Sequence, residues 1–290
     1  MWVLSILCGS GLLFWLGVLF ERKLVAMVSA LALASAGGFF LASGYMPWHS
    51  VPAFAAVAVL GWGLKKQPCS IDTCVGWTLF IVFLLLLGFH QLPGFSPYSV
   101  AMDGSVLQFW PQKIFLLLLV VLRVLRPVRP MRQIRRLGSP PVIFGGLLCL
   151  TLAVLIPLAL LSGYARWGWP SLTGLTYLYG LAYNLVFVCI VEESFFRGII
   201  QTALSRWLRS RRWPLADGWA VVAASLLFGM AHLGGGAAFV LLATLAGLAY
   251  GTVFYATRRI HYAVLLHVTV NGVHQGLLAG GSAGSSIHLG

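Results

Sequence analysis

From Pro140 to Gly163 the chain runs without a single charged side chain. A membrane-spanning helix needs roughly 20 predominantly apolar residues. In lipid, every backbone amide and carbonyl must find its partner inside the segment, which leaves helices or closed barrels as the spanning forms. Similar apolar runs recur along the 290 residues, of which 60% are hydrophobic and only 9% charged, at a mean hydropathy of +0.93. Soluble domains carry about 25% charged residues. Intrinsic disorder, nucleic-acid binding and a secreted disulfide scaffold are thereby poor readings, and the fold class expected is an all-α, polytopic membrane bundle of about 8–10 helices. The spans are expected near 2–20, 24–45, 47–64, 75–92, 113–126, 140–163, 173–204, 217–233, 236–257 and 260–280, with those at 47–64 and 113–126 the weakest. Between Pro93 and Gln112 a polar-aromatic loop is expected to lie flat at the interface.

The net charge of +13 is a topology signal. With ten spans, alternate loops hold Arg22-Lys23, Lys65-Lys66, the arginines 123, 126, 129, 132, 135 and 136, then Arg206, Arg209, Arg211 and Arg212, and finally Arg258-Arg259. Only Lys113 and Arg166 fall on the opposite side, and Arg197 lies within a span. The positive-inside rule then makes the basic loops cytoplasmic and both termini non-cytoplasmic. The basic loops also suit contact with anionic lipids. The first span does not read as a cleavable signal, since its positive charges follow it. Cys8, Cys149 and Cys189 sit in apolar runs as small hydrophobes, and Cys69 and Cys74, with no second pair nearby, read as loop cysteines.

Charge inside a lipid-spanning segment marks a functional site by default. Glu192, Glu193 and Arg197 share one short stretch, while Glu21, Asp72, Asp103 and Asp217 lie in loops or at span ends. On a helix Glu193 and Arg197 are i and i+4 and can neutralise each other. Glu192, rotated by about 100°, is free to present its carboxylate to a cavity. His232 ends another span one turn after Phe228. His267 and Asn271 are i and i+4 on the last, with His274 below them. At about 1.5 Å per residue Glu192 lies about 21 Å from Arg206, His267 about 12 Å from Arg259 and His232 about 22 Å from Asp217. These depths permit one site.

A carboxylate beside a histidine can hold a water and take its proton. A His and an Asn one turn apart offer donors to a tetrahedral oxyanion. That is peptide hydrolysis by activated water without a covalent intermediate. Ser194 neighbours the glutamates, but a helical serine hydroxyl is expected to bond back to a carbonyl. Glu192, His232 and His267 also compose a two-His, one-Glu zinc set, although no His-Glu-x-x-His is present.

Glu192-Glu193-Ser-Phe-Phe-Arg197 resembles the EExxxR motif, Phe228-Gly-Met-Ala-His232 resembles FxxxH and His267-Val-Thr-Val-Asn271 resembles HxxxN. In this order in a polytopic chain they resemble the CPBP family, which comprises type II CAAX prenyl endopeptidases and bacteriocin-processing or self-immunity proteins. The resemblance covers about 140–280 and implies a metal-free glutamic intramembrane protease. It implies that Glu192 and His232 activate water, that His267 and Asn271 stabilise the oxyanion, and that Glu193, Arg197 and Phe228 support them. It further implies a membrane-anchored or lipidated protein substrate and no cofactor, in a bacterial inner membrane. Residues 1–92 are expected to be accessory transmembrane helices that the motifs leave unassigned, a place that a substrate's own transmembrane tail could occupy. Residues 93–139 hold the interfacial loop, a short helix and the basic loop, and 281–290 form a tail. A non-catalytic immunity or scaffold protein is the first competing reading. The second is a proton-coupled transporter, which predicts inverted repeats with paired broken helices; none is visible.

Overall fold

The computed structural model describes residues 2–63, 82–83, 94–102, 105–124, 138–167 and 174–280. Expectations for the span near 75–92, for Lys65-Lys66, for Cys69 and Cys74, for the arginines from 126 to 136 and for the tail fall outside those residues, apart from 82–83. The chain is a helical membrane protein whose described residues divide into two compact units, one up to residue 125 and one from residue 126. Among the described residues, four helical stretches are long and apolar enough to cross a membrane: Leu24–Ala42, Pro140–Leu161, Gly174–Ser210 and Leu233–Thr257. Ser5–Gly17 and Ala216–Met230 are shorter apolar helices.

In the first unit α1 (Trp2–Leu19) and α2 (Lys23–Ala42) pack as a helical hairpin, and α3 (Ser50–Gly63) and α4 (Gln112–Val124) are further helices among the described residues. Both weakly expected spans are therefore helical. Where a flat loop was expected, the chain forms a β-hairpin, β1 (Tyr98–Met102) antiparallel to β2 (Ser105–Phe109), with Met102 opposite Ser105. The physical reason was present in the sequence. Asp103-Gly104 stands between two runs of strand formers, and Asp-Gly is the favoured dipeptide of two-residue hairpins. Phe40 anchors the hairpin, its ring centroid 5.5 Å from Tyr98 and 5.4 Å from Phe109.

The second unit begins with α5 (Pro140–Leu161), whose Pro140 at the first turn suits a position with no amide to satisfy. It continues through α6 (Gly174–Ser210), α7 (Ala216–Met230), α8 (Gly236–Thr257) and α9 (Ile260–Leu277). A short ribbon, β3 (Ala165–Trp167) against β4 (Leu278–Gly280), joins the segment after α5 to the end of α9. Helix α6 is longer than the expected span and is not α-helical throughout. Residues Asn184–Cys189 and Ser194–Gln201 are π-helical, flanking an α-helical turn at Ile190–Glu193. Such widened turns are rare and frequently sit at functional sites. At the far end of α6, Asp217 on α7 accepts hydrogen bonds from Ser205 and Arg209 and pairs with Arg258 after α8 at 3.3 Å, tying three helices together.

Helices α7 and α8 pack tightly at Gly229. A Cβ there would stand 2.8 Å from the Val240 carbonyl oxygen and would collide with Thr244 Oγ1. That hydroxyl already donates to the same carbonyl at 2.8 Å. Gly229→Ala is expected to lower stability by about 1–3 kcal/mol through overpacking, read as a lower thermal midpoint in detergent. Gly218→Ala on the same helix meets no atom within 4 Å and should leave the midpoint unchanged. Equal midpoints for the two variants would refute the close crossing.

Candidate active site

Helix α6 carries the acidic pair into the interior of the second unit. Glu193 and Arg197 are both 0% exposed, with Glu193 Oε2 3.1 Å from Arg197 Nε. The guanidinium also donates through Nη2 to the Gly247 carbonyl of α8 at 3.0 Å. It lies 5.0 Å from the Phe228 ring centroid, 5.7 Å from Tyr250 and 5.9 Å from Phe196. A guanidinium within about 6 Å of aromatic faces is attracted by their quadrupoles. Beyond the ion pair itself, the Gly247 hydrogen bond and the aromatic faces surround the guanidinium, while Arg197 Nη1 has no hydrogen-bond partner among the described residues. The i, i+4 pairing expected from the sequence is present.

The second oxygen of Glu193 does something that spacing did not foretell. Glu193 Oε1 lies 2.9 Å from Nδ1 of His267 on α9. The opposite ring nitrogen, Nε2, lies 4.0 Å from Glu192 Oε2. The imidazole thus sits between the two carboxylates. Since an ionised carboxylate only accepts, the hydrogen bond to Glu193 assigns a proton to Nδ1 and turns Nε2 toward Glu192. Tyr250 stacks on the ring at 4.6 Å, with 20° between the planes. Glu192 differs from its neighbour in being partly open, its side chain 26% exposed. The sequence expectation of one buried and one available carboxylate corresponds to this arrangement.

His232 lies beyond the end of α7, in the turn that leads to Leu233–Gly235. Its Nδ1 is 2.7 Å from the Phe228 carbonyl oxygen. A carbonyl can only accept, so Nδ1 carries the proton and Nε2 is left as the basic nitrogen. The Phe228 ring touches both histidines, 4.7 Å from His232 and 5.7 Å from His267. Phe239 of α8 meets the far side of His232 at 5.1 Å and stacks on Tyr164, which in turn stacks on His274.

Asn271 shares the inward face of α9 with His267 but binds elsewhere. Its Nδ2 donates to Asn184 Oδ1 of α6 at 3.0 Å and lies 3.9 Å from Cys189 Sγ. Asn184 and Cys189 are therefore site neighbours that sequence reasoning passed over, as is Tyr250. An uncharged polar residue within an apolar span was the available signal for Asn184. The Ser194 hydroxyl, expected to bond to a helix carbonyl, has no hydrogen-bond partner among the described residues. The nearby carbonyls of Ile190 and Val191 both accept its own backbone amide instead. Among the described residues no three His, Cys, Asp or Glu side chains converge at metal-binding distance.

Residues 173–273 match the type II CAAX prenyl endopeptidase Rce1-like family. Over these residues the chain is similar to that family. The match contains the whole of α6, α7 and α8, and α9 as far as Val273, so every residue of the described cluster except Tyr164 and His274 lies in the matched segment. That family is one of proteases, and the matched residues lie within the second unit of this helical membrane protein. No curated protein and no solved structure matches the chain significantly.

Proposed function

We propose that the chain is an intramembrane endopeptidase that cuts a protein substrate near its membrane-anchored or lipidated C-terminal part. The observation that carries the reading is the His267 imidazole held between a caged carboxylate, Glu193, and a partly open one, Glu192. Glu192 and the basic Nε2 of His232 hold a water and take its proton as the water oxygen attacks the peptide carbonyl carbon. The carbonyl oxygen, now an anion, accepts from His267 Nε2 and Asn271 Nδ2, which requires the His267 ring to hold both of its protons at that moment. Collapse breaks the C–N bond, and the proton held by the Glu192–His232 pair passes to the leaving amine. Donors of this kind contribute typically about 10²–10³ each to turnover. Phe228 keeps the two imidazoles in place, and Glu193 with Arg197 supports His267. The membrane is proposed to be a bacterial inner membrane, with both chain termini outside the cytoplasm.

The reaction as proposed needs no cofactor. His267 uses Nδ1 for Glu193 and Nε2 for the oxyanion, and a nitrogen bound to metal could not donate. The test uses the full chain in liposomes with two quenched fluorescent probes, a prenylated peptide ending in Cys-aliphatic-aliphatic-X and an unprenylated peptide with an apolar transmembrane tail. At least one should be cleaved, at a rate unchanged by exhaustive chelation. Cleavage of neither sinks the reading. Loss on chelation with recovery at one equivalent of zinc replaces it with a metalloprotease using Glu192, His232 and His267.

A further inference from the structure

We infer that Asn184 is a positioning residue for Asn271, acting through a three-residue hydrogen-bonded chain that aims the Asn271 amide at the reacting carbonyl. The inference rests on the proposed hydrolytic reading of the site and adds a residue that lies outside its three motifs.

Asn184 is 3% exposed and opens the first π-helical turn of α6. Its Oδ1 accepts twice, from Cys189 Sγ at 3.1 Å and from Asn271 Nδ2 at 3.0 Å. The widened turn makes the first of these contacts possible. In an α-helix, at about 100° per residue, positions five apart point about 140° away from each other. In a π turn, bonded i to i+5, they lie one above the other. Cys189 is thereby stacked on Asn184, and its thiol hydrogen marks the Asn184 amide oxygen as the end that faces α9.

That orientation dictates the next. An oxygen facing α9 requires Asn271 to present its NH₂ group and not its carbonyl. One Nδ2 hydrogen is spent on Asn184, which fixes the amide plane. The second lies toward Cys189 Sγ at 3.9 Å, and sulfur is a weak acceptor. An oxyanion displaces that contact at little cost. Tyr177 reinforces the register of α9 one residue further on, donating from its hydroxyl to the Gly272 carbonyl at 3.1 Å. The Asn271 donor is thus set before substrate arrives, and preorganised donors are the ones that count in a transition state.

The experiment is a double-mutant cycle on the full chain in liposomes, using whichever of the two quenched probes the wild type cleaves faster. Asn184→Ala should lower kcat by about 10–100-fold, in keeping with the cost of misplacing a catalytic group by about 1 Å, with KM changed less than about twofold. Asn271→Ala should lower it at least as much. The double variant Asn184→Ala, Asn271→Ala should be no slower than Asn271→Ala by more than about threefold, because residues acting as a unit are not additive. Multiplicative losses overturn the inference, since they mean that Asn184 acts on fold or substrate by another route. Asn184→Leu, which keeps the branched heavy-atom skeleton without its polarity, guards against a cavity effect and should reproduce the alanine result. If neither Asn184 variant is monodisperse in detergent, the residue is structural and the positioning role is refuted. Full activity in Asn271→Ala, or no cleavage by the wild type, removes the underlying reading itself. Loss in Asn271→Ala with full activity in Asn184→Ala removes the inference alone.

Discussion

Glu192→Gln is expected to reduce turnover by about 10²–10⁴-fold, the usual contribution of a positioned acid–base group, while the protein stays folded. The substitution keeps the shape of the side chain and removes its capacity to take a proton. Because Glu192 is the partly open carboxylate and Arg197 lies with its neighbour, no buried cation loses its charge partner. The expected pattern is therefore a fall in kcat with an unchanged thermal midpoint. His232→Ala and His267→Ala should share the loss, the first by removing the basic nitrogen and the second by removing a donor to the oxyanion. The check is single-turnover cleavage of the faster probe beside thermal melting of each variant. Wild-type turnover by the Glu192→Gln protein would overturn the assigned base.

Glu193→Gln, one residue on, is expected to fail in a different way. It leaves Arg197 as an uncompensated buried charge, at a cost of about 3–5 kcal/mol. The double variant Glu193→Gln, Arg197→Met should regain much of the lost stability, since a buried pair can often be replaced by apolar groups without penalty. It should not regain activity, because His267 Nδ1 has lost the carboxylate that held it at 2.9 Å. Thermal melting separates single from double variant, and the cleavage rate separates folding from catalysis. A single variant as stable as wild type would refute the ion pair. A fully active double variant would refute the support of His267 by Glu193.

These two expectations show where the sequence was informative. A helical membrane protein followed from apolar runs that lipid alone can cover, and the six-residue stretch from Glu192 to Arg197 announced itself because charge is expensive there. The pairing of Glu193 with Arg197 needed only helical spacing. What spacing could not supply was anything joining distant segments. Nothing local in Asn184 points to Asn271 on another helix, and the Gly247 carbonyl that receives Arg197 has no side-chain signature at all. The contact between Glu193 and His267 was hidden for a related reason: two motifs were each assigned a complete role, and a shared hydrogen bond between them was not required by either. The β1–β2 hairpin was legible in Asp103-Gly104 but was outweighed by the helical character of everything around it.

The two π-helical turns of α6 bear on how this chain can change over generations. Each holds one residue more per turn than an α-helix, so each behaves as a single-residue insertion absorbed within a helix. Relaxing either turn to α geometry would advance everything beyond it by about 100° around the axis. Because the turns lie on both sides of Ile190–Glu193, the acidic pair has a phase set independently of the helix ends that flank it. Point substitutions can therefore drift widely along the lipid-facing side of α6, whereas the loss or gain of one residue between Asn184 and Gln201 would swing the carboxylates away from His267 while leaving hydropathy and helix content almost untouched. Length, more than composition, is what this segment has to conserve.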